Sequence, residues 1–309
     1  MTERKKFDVI GIGVSAVDII NLVDTFPSGE GAIQSTETVI QGGGPVATAM
    51  VACARLGMRT AMVDSIGDDW RGSLILEEFR SYGVTTDYIR IYQGESSALS
   101  TIAVRREDGA RSIIFSPGTA SELPTVDITP ELIASAKTIH LNGRHPLTCM
   151  KACALAKESG VTISFDGGAH RYRKELDPMI ELADVCIAAR NFAEALTGEA
   201  DPDTAVRLIT ELGPELAAIT DGTNGSRIYR KDGTSFHQPA FRIPVIRDTT
   251  GCGDSYHGAF LYGMTSGMSL EETAEFASAA GALNGRMLGG RAGLPDAAEV
   301  RAFLAGRRS

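Results

Sequence analysis

At 309 residues, with 43% hydrophobic and 22% charged side chains, the chain can bury a large core as one big α/β domain or two smaller ones. A net charge of −9 and a pI near 5.2 argue against nucleic acid or an anionic membrane as partner, and no basic run interleaved with aromatics occurs. Cys53, Cys149, Cys153, Cys186 and Cys252 are odd in number, scattered and set in apolar contexts. Cys149 and Cys153 stand i, i+4 with no zinc-ligand spacing nearby, so reduced core thiols in a cytoplasmic protein are expected.

Arg4, Lys5 and Lys6 before FDVIGIGV imitate a signal peptide, but Asp8 and Asp18 interrupt the apolar run and no stretch has the length of a membrane span. Phe7 to Val14 reads instead as a first buried strand of a parallel sheet. Gly11, Gly13 and Ala16 match the G-x-G-x-x-A dinucleotide fingerprint, which requires a helix to open at once. The next stretch, VDIINLVDTFP, is rich in Ile and Val and stops at Pro27, which suits a strand as well as a helix. An NAD-dependent oxidoreductase also needs an acidic residue closing a second strand, and neither Glu30 nor Glu37 ends a clear one.

QGGGPVATAMVACARLG sets three glycines and Pro45 ahead of a helical run ending at Gly57. Thr60 to Ile66 reads as the next strand. GDDWRG then opens a helix to about Tyr82, with Asp68 as its cap and Gly83 as its stop. LSTIAVRR and ARSIIFSP, joined by Glu-Asp-Gly, form a β-hairpin within 97–117. After Thr129, strands near Thr138, Val161, Val185 and Leu216 alternate with helical stretches. Such repeats build one doubly wound, mainly parallel sheet with helices on both faces. Ligands bind such sheets at the carboxyl ends of strands, which puts 142–145, 166–168, 191–194 and 220–225 on one rim. His140 reads as a core residue and His257 as packed on a helix, neither catalytic.

In DTTGCGDSYHGAF, residues 248–260, a glycine-spaced turn runs directly into a helix. Gly251 and Gly253 let the backbone approach a ligand closely, and the N–H groups of Gly251, Cys252 and Gly253 form an anion site at the helix start. Asp254 beside it either caps the helix or serves as general base toward a hydroxyl. Gly-Lys never occurs, which excludes a P-loop.

DTTGCGDSYHGAF resembles the second signature of the PfkB, or ribokinase-like, carbohydrate kinase family, DTxGAGD followed by a GAF-like run, with Cys252 where Ala is usual. QGGGPVATAMVACARLG resembles the first signature, Arg55, Leu56 and Gly57 matching its ending. The Lys and Asn that touch ribose in ribokinases stand here as Pro45 and Thr48. ARNFAEALTG resembles the N-x-x-E motif, and ITDGTNGS the nucleotide-binding loop. Read without that likeness, Asn191 and Glu194 at i, i+3 serve equally as a capping pair.

The resemblance implies one ribokinase-like kinase domain over 1–309, with segments 18–41 and 97–117 forming a small β-sheet lid over the sugar site. It implies an ATP- and magnesium-dependent sugar kinase in which Asp254 is the base and Gly251, Cys252 and Gly253 hold the transferring group. Asp18, expected at the carboxyl end of the first strand, Gly43, Gly44, Thr48 and Arg144 would meet the sugar. Asn191, Glu194, Thr220, Gly222, Gly225 and Asn284 would meet the nucleotide. Glu194 would hold magnesium through water. Asp248 and the Thr250 carbonyl would hold a monovalent cation, potassium, and the lid would pair two copies. Asn284 is read either at the adenine or as an exposed helix residue without a role.

GGGPVATA and HLNGRHP further resemble a bacterial branch that includes ketose and sulfofructose kinases, where an Arg at the place of Arg144 reaches the substrate. No Lys or Arg occurs between Lys6 and Arg55, and only Arg105, Arg106, Arg111 and Arg144 are in view as anion clamps. A neutral ketose or related sugar is therefore expected over an anionic sugar or a nucleoside. A non-catalytic relative that binds sugar or nucleotide as a sensor would be favoured by loss of the base, and Asp254 is present.

Overall fold

The computed structural model describes residues 5–308; Arg4 and the other ends of the 1–309 span lie outside them. In chain order the strands are β1 (Phe7–Ile12), β2 (Ala16–Val23), β3 (Glu37–Gly43), β4 (Thr60–Gly67), β5 (Thr85–Tyr92), β6 (Ala98–Arg105) and β7 (Arg111–Ser116). They continue with β8 (Ala136–Leu141), β9 (Thr162–Gly167), β10 (Val185–Ala189), β11 (Leu216–Thr220), β12 (Ser226–Arg230) and β13 (Ser235–Gln238). Nine form one sheet in the order β13-β12-β11-β10-β9-β8-β1-β4-β5, and the other four form a second sheet, β3-β2-β6-β7.

The large sheet is parallel from β5 to β11, with β12 and β13 added antiparallel at one edge. Alternation along a strand sends successive side chains to opposite faces. Accordingly Ile10 and Ile12 join one core with Ile139, Leu141, Ile163 and Phe165, while Val9 joins the other with Met50 and Met62. Burying both faces explains why β1 is apolar apart from Asp8 and why β4 is buried throughout, its Asp64 and Ser65 included.

Gly11 and Gly13 owe their identity to packing. A Cβ at Gly11 would lie 2.5 Å from Met50 Cγ, and one at Gly13 would lie 2.7 Å from Val46 Cβ, both in the helix Pro45–Arg55. The chain after them enters β2 rather than a helix, so the dinucleotide reading fails.

The small sheet unites the two segments expected to form a lid. β2 and β6 run parallel, and β3 and β7 flank them antiparallel. Ile20, Leu22, Ile102 and Val104 seat it on Leu288. Asp18 lies in β2, not at the end of β1, because the chain has already crossed into the small sheet. Asp68 is corrected as well: Asp69 caps the helix Trp70–Ser81 by accepting from the Gly72 N–H, while Asp68 accepts from the Gly94 N–H at 2.8 Å. Strand β5 and the hairpin β12–β13 have no counterpart among the elements expected from the sequence. No helix of the described residues is long and apolar enough to cross a membrane.

Candidate active site

The helix Cys252–Thr265 begins at Gly251, whose φ of 71° lies in the left-handed region. A Cβ there would come within 2.3 Å of the Gly290 carbonyl oxygen, so both conformation and contact demand glycine. No side chain caps this helix, and the Cys252 N–H reaches only the Thr249 carbonyl at 3.4 Å, leaving a positive helix end open. Asp254 is half-buried in the first turn and makes no capping bond, which separates it from the cap reading.

Burial, and next the like charge of Asp166, push the Asp254 carboxyl up to about 7, against the pull of Arg171 and Arg111. A carboxylate poised there can take a proton from an alcohol near neutrality. Arg111, on β7, donates to Thr249 Oγ1 at 2.8 Å, which brings the lid strand to the glycine turn. Cys252 is half-buried, and burial pushes its thiol up to about 12, so it fills space as an inert small residue.

Asp248 is fully buried and fixes the turn: its carboxylate accepts from the Thr250 N–H at 2.7 Å and the Gly289 N–H at 2.8 Å. Asn284 belongs to this same assembly. It is fully buried, and its Nδ2 donates to the Gly290 carbonyl at 3.0 Å and the Thr250 carbonyl at 3.3 Å. Neither an exposed helix residue nor a contact to adenine describes it, because its amide hydrogens are spent inside the protein. Thr250 Oγ1 and Asn284 Oδ1 are buried without hydrogen-bond partners.

On the lid side, Asp18 is buried, receives a hydrogen bond from Ser100, and is pushed upward mainly by burial. Its carboxylate lies against Gly43, where a Cβ would sit 2.2 Å from Oδ2. Gly44, at φ 93°, leads into the helix that carries Thr48. Sequence reasoning missed what holds this corner. Arg291 donates to the Gly43 carbonyl at 2.8 Å, Thr48 Oγ1 at 3.2 Å and Glu78 at 3.2 Å. A lone cation in GGRAG was the available signal.

The rim forms as expected. Asn191 and Glu194 open the helix Arg190–Thr197, whose N-cap is Ala189, so they are not a capping pair. Asn191 Oδ1 accepts from the His170 N–H at 3.1 Å, while Glu194 is exposed. Thr220 ends β11, and Gly222 and Gly225 follow at φ 52° and 84°. A Cβ on Gly225 would meet the Gln238 carbonyl oxygen at 2.2 Å. The Arg144 backbone N–H donates to Asn142 Oδ1 at 3.3 Å, its guanidinium stands 3.8 Å from Glu122, and its Nε is buried without a partner.

Behind Asp254, His140, Asp166 and His257 are buried with ligand-capable atoms within 4.8 Å of one another. Burial above all takes both imidazoles down to about 3, with the positive charge of Arg171 adding to the effect at His257, so they stay neutral. The Arg171 guanidinium acting on His257 and Asp166 opposes a further cation there. The cluster's visible effect is the charge that Asp166 lends to Asp254.

A nine-stranded, mainly parallel sheet with a four-stranded lid, and a carboxylate behind an open glycine turn, define a ribokinase-like α/β enzyme. The family model of the pfkB family carbohydrate kinases matches residues 5–297. The chain belongs to that family of carbohydrate kinases. It is 28% identical to an ATP-dependent ribose-1-phosphate kinase of Halopiger xanaduensis, over 97% of this chain and 98% of that one. It is 29% identical to fructokinase-2 of Solanum habrochaites, over 96% of each. The crystal structure of ribokinase from Thermotoga maritima superposes with a TM-score of 0.83 at 25% identity, over 97% of this chain and 99% of that one.

Proposed function

We propose that this carbohydrate kinase transfers the γ-phosphoryl group of ATP to a primary hydroxyl of a small neutral sugar, a ketose or a related sugar. The observation that carries the reading is Asp254, raised to about 7 beside the uncapped end of the helix Cys252–Thr265. Asp18, Gly43, Gly44 and Thr48 hold the sugar, and two hydrogen bonds to vicinal hydroxyls are what the Asp18 carboxylate supplies best. Thr220, Gly222 and Gly225 line the nucleotide. Asp254 takes the hydroxyl proton as the sugar oxygen bonds to the γ-phosphorus, and the bond from that phosphorus to the β–γ bridging oxygen breaks, leaving sugar phosphate and ADP.

The N–H groups of Gly251, Cys252 and Gly253 stabilise charge on the transferring group, and Arg111 and Arg171 flank it with positive charge. Magnesium, held through water by Glu194 beside Asn191, would offset charge on the phosphates. The oxygens around Asp248 and Thr250 suit a monovalent cation beneath the turn. The lid shuts water out of the transfer.

The lid also supports a homodimer. Strand β7 is an edge, exposed along its whole length, and carries Ile113, Ile114 and Phe115. An exposed apolar edge invites strand or face pairing by a second copy. The free thiols, four of them buried, are in keeping with the proposal of a reducing, cytoplasmic location.

Anionic sugars are the competing substrates, since the fold adds Arg171 to the cations near this site. The position of Arg111 and Arg171 beside Asp254 supports a role for them at the transferring phosphoryl, and an Asp18 carboxylate at the sugar would repel a second anion. A coupled ATP assay over fructose, ribose, 2-keto-3-deoxygluconate, nucleosides, fructose phosphates and sulfofructose tests this. Fructose or another neutral ketose should turn over best. Turnover of anionic sugars alone, abolished by Arg144→Ala, would overturn the neutral-sugar reading and make Arg144 an oxyanion clamp.

A further inference from the structure

Arg291 is the only buried arginine or lysine of the described residues, 2% exposed. A guanidinium withdrawn from water is costly unless every arm is matched. Here each arm goes to a different segment: Nη2 to the Gly43 carbonyl in β3, Nε to Thr48 Oγ1 in the following helix, and Nη1 to Glu78 in the helix Trp70–Ser81. The guanidinium also lies over the Phe79 ring, 5.4 Å from its centroid. The Glu78 carboxylate accepts in turn from the Gly42 N–H.

The two glycines are thereby gripped from both sides. A Cβ on Gly42 would come within 2.1 Å of Arg291 Nη1, and one on Gly43 within 2.2 Å of Asp18 Oδ2. The backbone around Arg291 grips the phosphoryl end of the site as well. The Gly289 N–H donates to Asp248, Asn284 holds the Gly290 carbonyl, and that carbonyl abuts Gly251. Loop 289–291 thus touches the sugar-side glycines with a side chain and the anion-hole turn with its main chain.

We infer that Arg291, paired with Glu78, is a positioning residue that sets the Gly42–Gly43 peptides against Asp18 and keeps them in register with the Gly251–Gly253 turn. At Pro45 and Thr48, where ribokinases carry a Lys and an Asn, this chain has neither, and the cation arrives at Thr48 from the other end of the sequence. The guanidinium is also the one positive charge that acts on Asp18 from within the corner. Its planar fork satisfies three acceptors in three directions, which an ammonium on a flexible stem does not reproduce. This inference rests on the sugar site proposed above.

The test measures KM for sugar and for ATP, kcat and thermal stability in Arg291→Ala, Arg291→Lys and Glu78→Gln. Asp18→Ala serves as reference, and D-fructose, or whichever panel sugar turns over, as probe. Arg291→Ala should raise the sugar KM by about 10- to 100-fold, the scale of losing charge-assisted hydrogen bonds, with the ATP KM within about twofold. Arg291→Lys, which keeps the charge, should still raise the sugar KM by about tenfold. Should Arg291→Ala not fold, Arg291→Lys and Glu78→Gln carry the test. Sugar and ATP KM rising together, or wild-type sugar KM in Arg291→Lys, overturns the inference. If Asp18→Ala leaves the sugar KM unchanged, the sugar-site assignment itself fails and takes this inference with it. If Asp18→Ala raises it and Arg291→Lys does not, only the role of Arg291 fails.

Discussion

Asp166→Asn should move the acid limb of kcat/KM to lower pH. The base must be ionised to act, so with Asp254 raised to about 7 the activity should be about half-maximal near pH 7 and fall about tenfold per unit below it. Burial is the first cause of the shift and Asp166 the second. The Asn variant removes one like charge and leaves the burial, so the limb should descend by on the order of one unit without returning to an ordinary carboxylate value. Arg171→Ala removes an opposing charge and should move it upward. The nucleotide's own titration is common to all three enzymes and cancels in the comparison.

The same carboxylate leaves a mark on stability. Its folded pKa is raised above the unfolded value, so its contribution is fully present below about pH 4 and is lost as pH rises through about 7. The shift from 3.8 to about 7 corresponds to roughly 4 kcal/mol, and partial exposure to the cleft discounts this to about 1–3 kcal/mol. Asp254→Asn should therefore melt a few degrees above the wild type at pH 8 and level with it at pH 4, while kcat falls by at least about 10²-fold. Scanning calorimetry and initial rates from pH 5 to 9 decide the matter. A wild-type limb below pH 5, an unmoved limb in Asp166→Asn, or a less stable Asp254→Asn at pH 8 would refute the general-base assignment and its electrostatic origin.

Asp18→Ala should raise the sugar KM about 10- to 100-fold and leave the ATP KM nearly unchanged; the reverse pattern in steady-state kinetics removes Asp18 from the sugar site. Activity should rise on adding potassium to sodium- and potassium-free buffer, because Thr250 Oγ1 and Asn284 Oδ1 are buried without partners near the turn. Equal rates with and without potassium dispose of that cation. Ile114→Glu, at a residue 75% exposed on β7, should give a monomer in sedimentation equilibrium. A monomeric wild type, or an unchanged dimer in the variant, speaks against pairing through the lid.

What the sequence made legible was local. The turn before Asp254 could be read because Gly251 has a backbone requirement that only glycine meets, and the parallel sheet because strands buried on both faces are mostly apolar even where a polar residue such as Asp64 interrupts them. The strands β12 and β13 were not legible, since SRIYR and SFHQ mix charged and apolar residues at a sheet edge, where one side needs no burial. Asp69 rather than Asp68 became the cap because the choice between adjacent aspartates depends on which carboxylate faces the Gly72 N–H, and one-residue displacements leave no mark in a pattern.

The larger omissions were long-range. Arg291 meets Gly43 across 248 positions and Thr48 across 243, and nothing in spacing or periodicity records a contact of that reach. Counting cations near the first glycine signature suggested a neutral pocket, yet the fold delivers Arg291 to that corner and Arg171 and Arg111 to Asp254. The two deliveries differ in consequence. Arg291 is consumed by Glu78, Gly43 and Thr48, so it adds no free charge for a substrate anion. Arg171 and Arg111 remain solvent-facing beside Asp254, where the proposed phosphoryl transfer would use them. The proposed preference for a neutral sugar thus rests on where these charges end up rather than on how few of them the sequence contains.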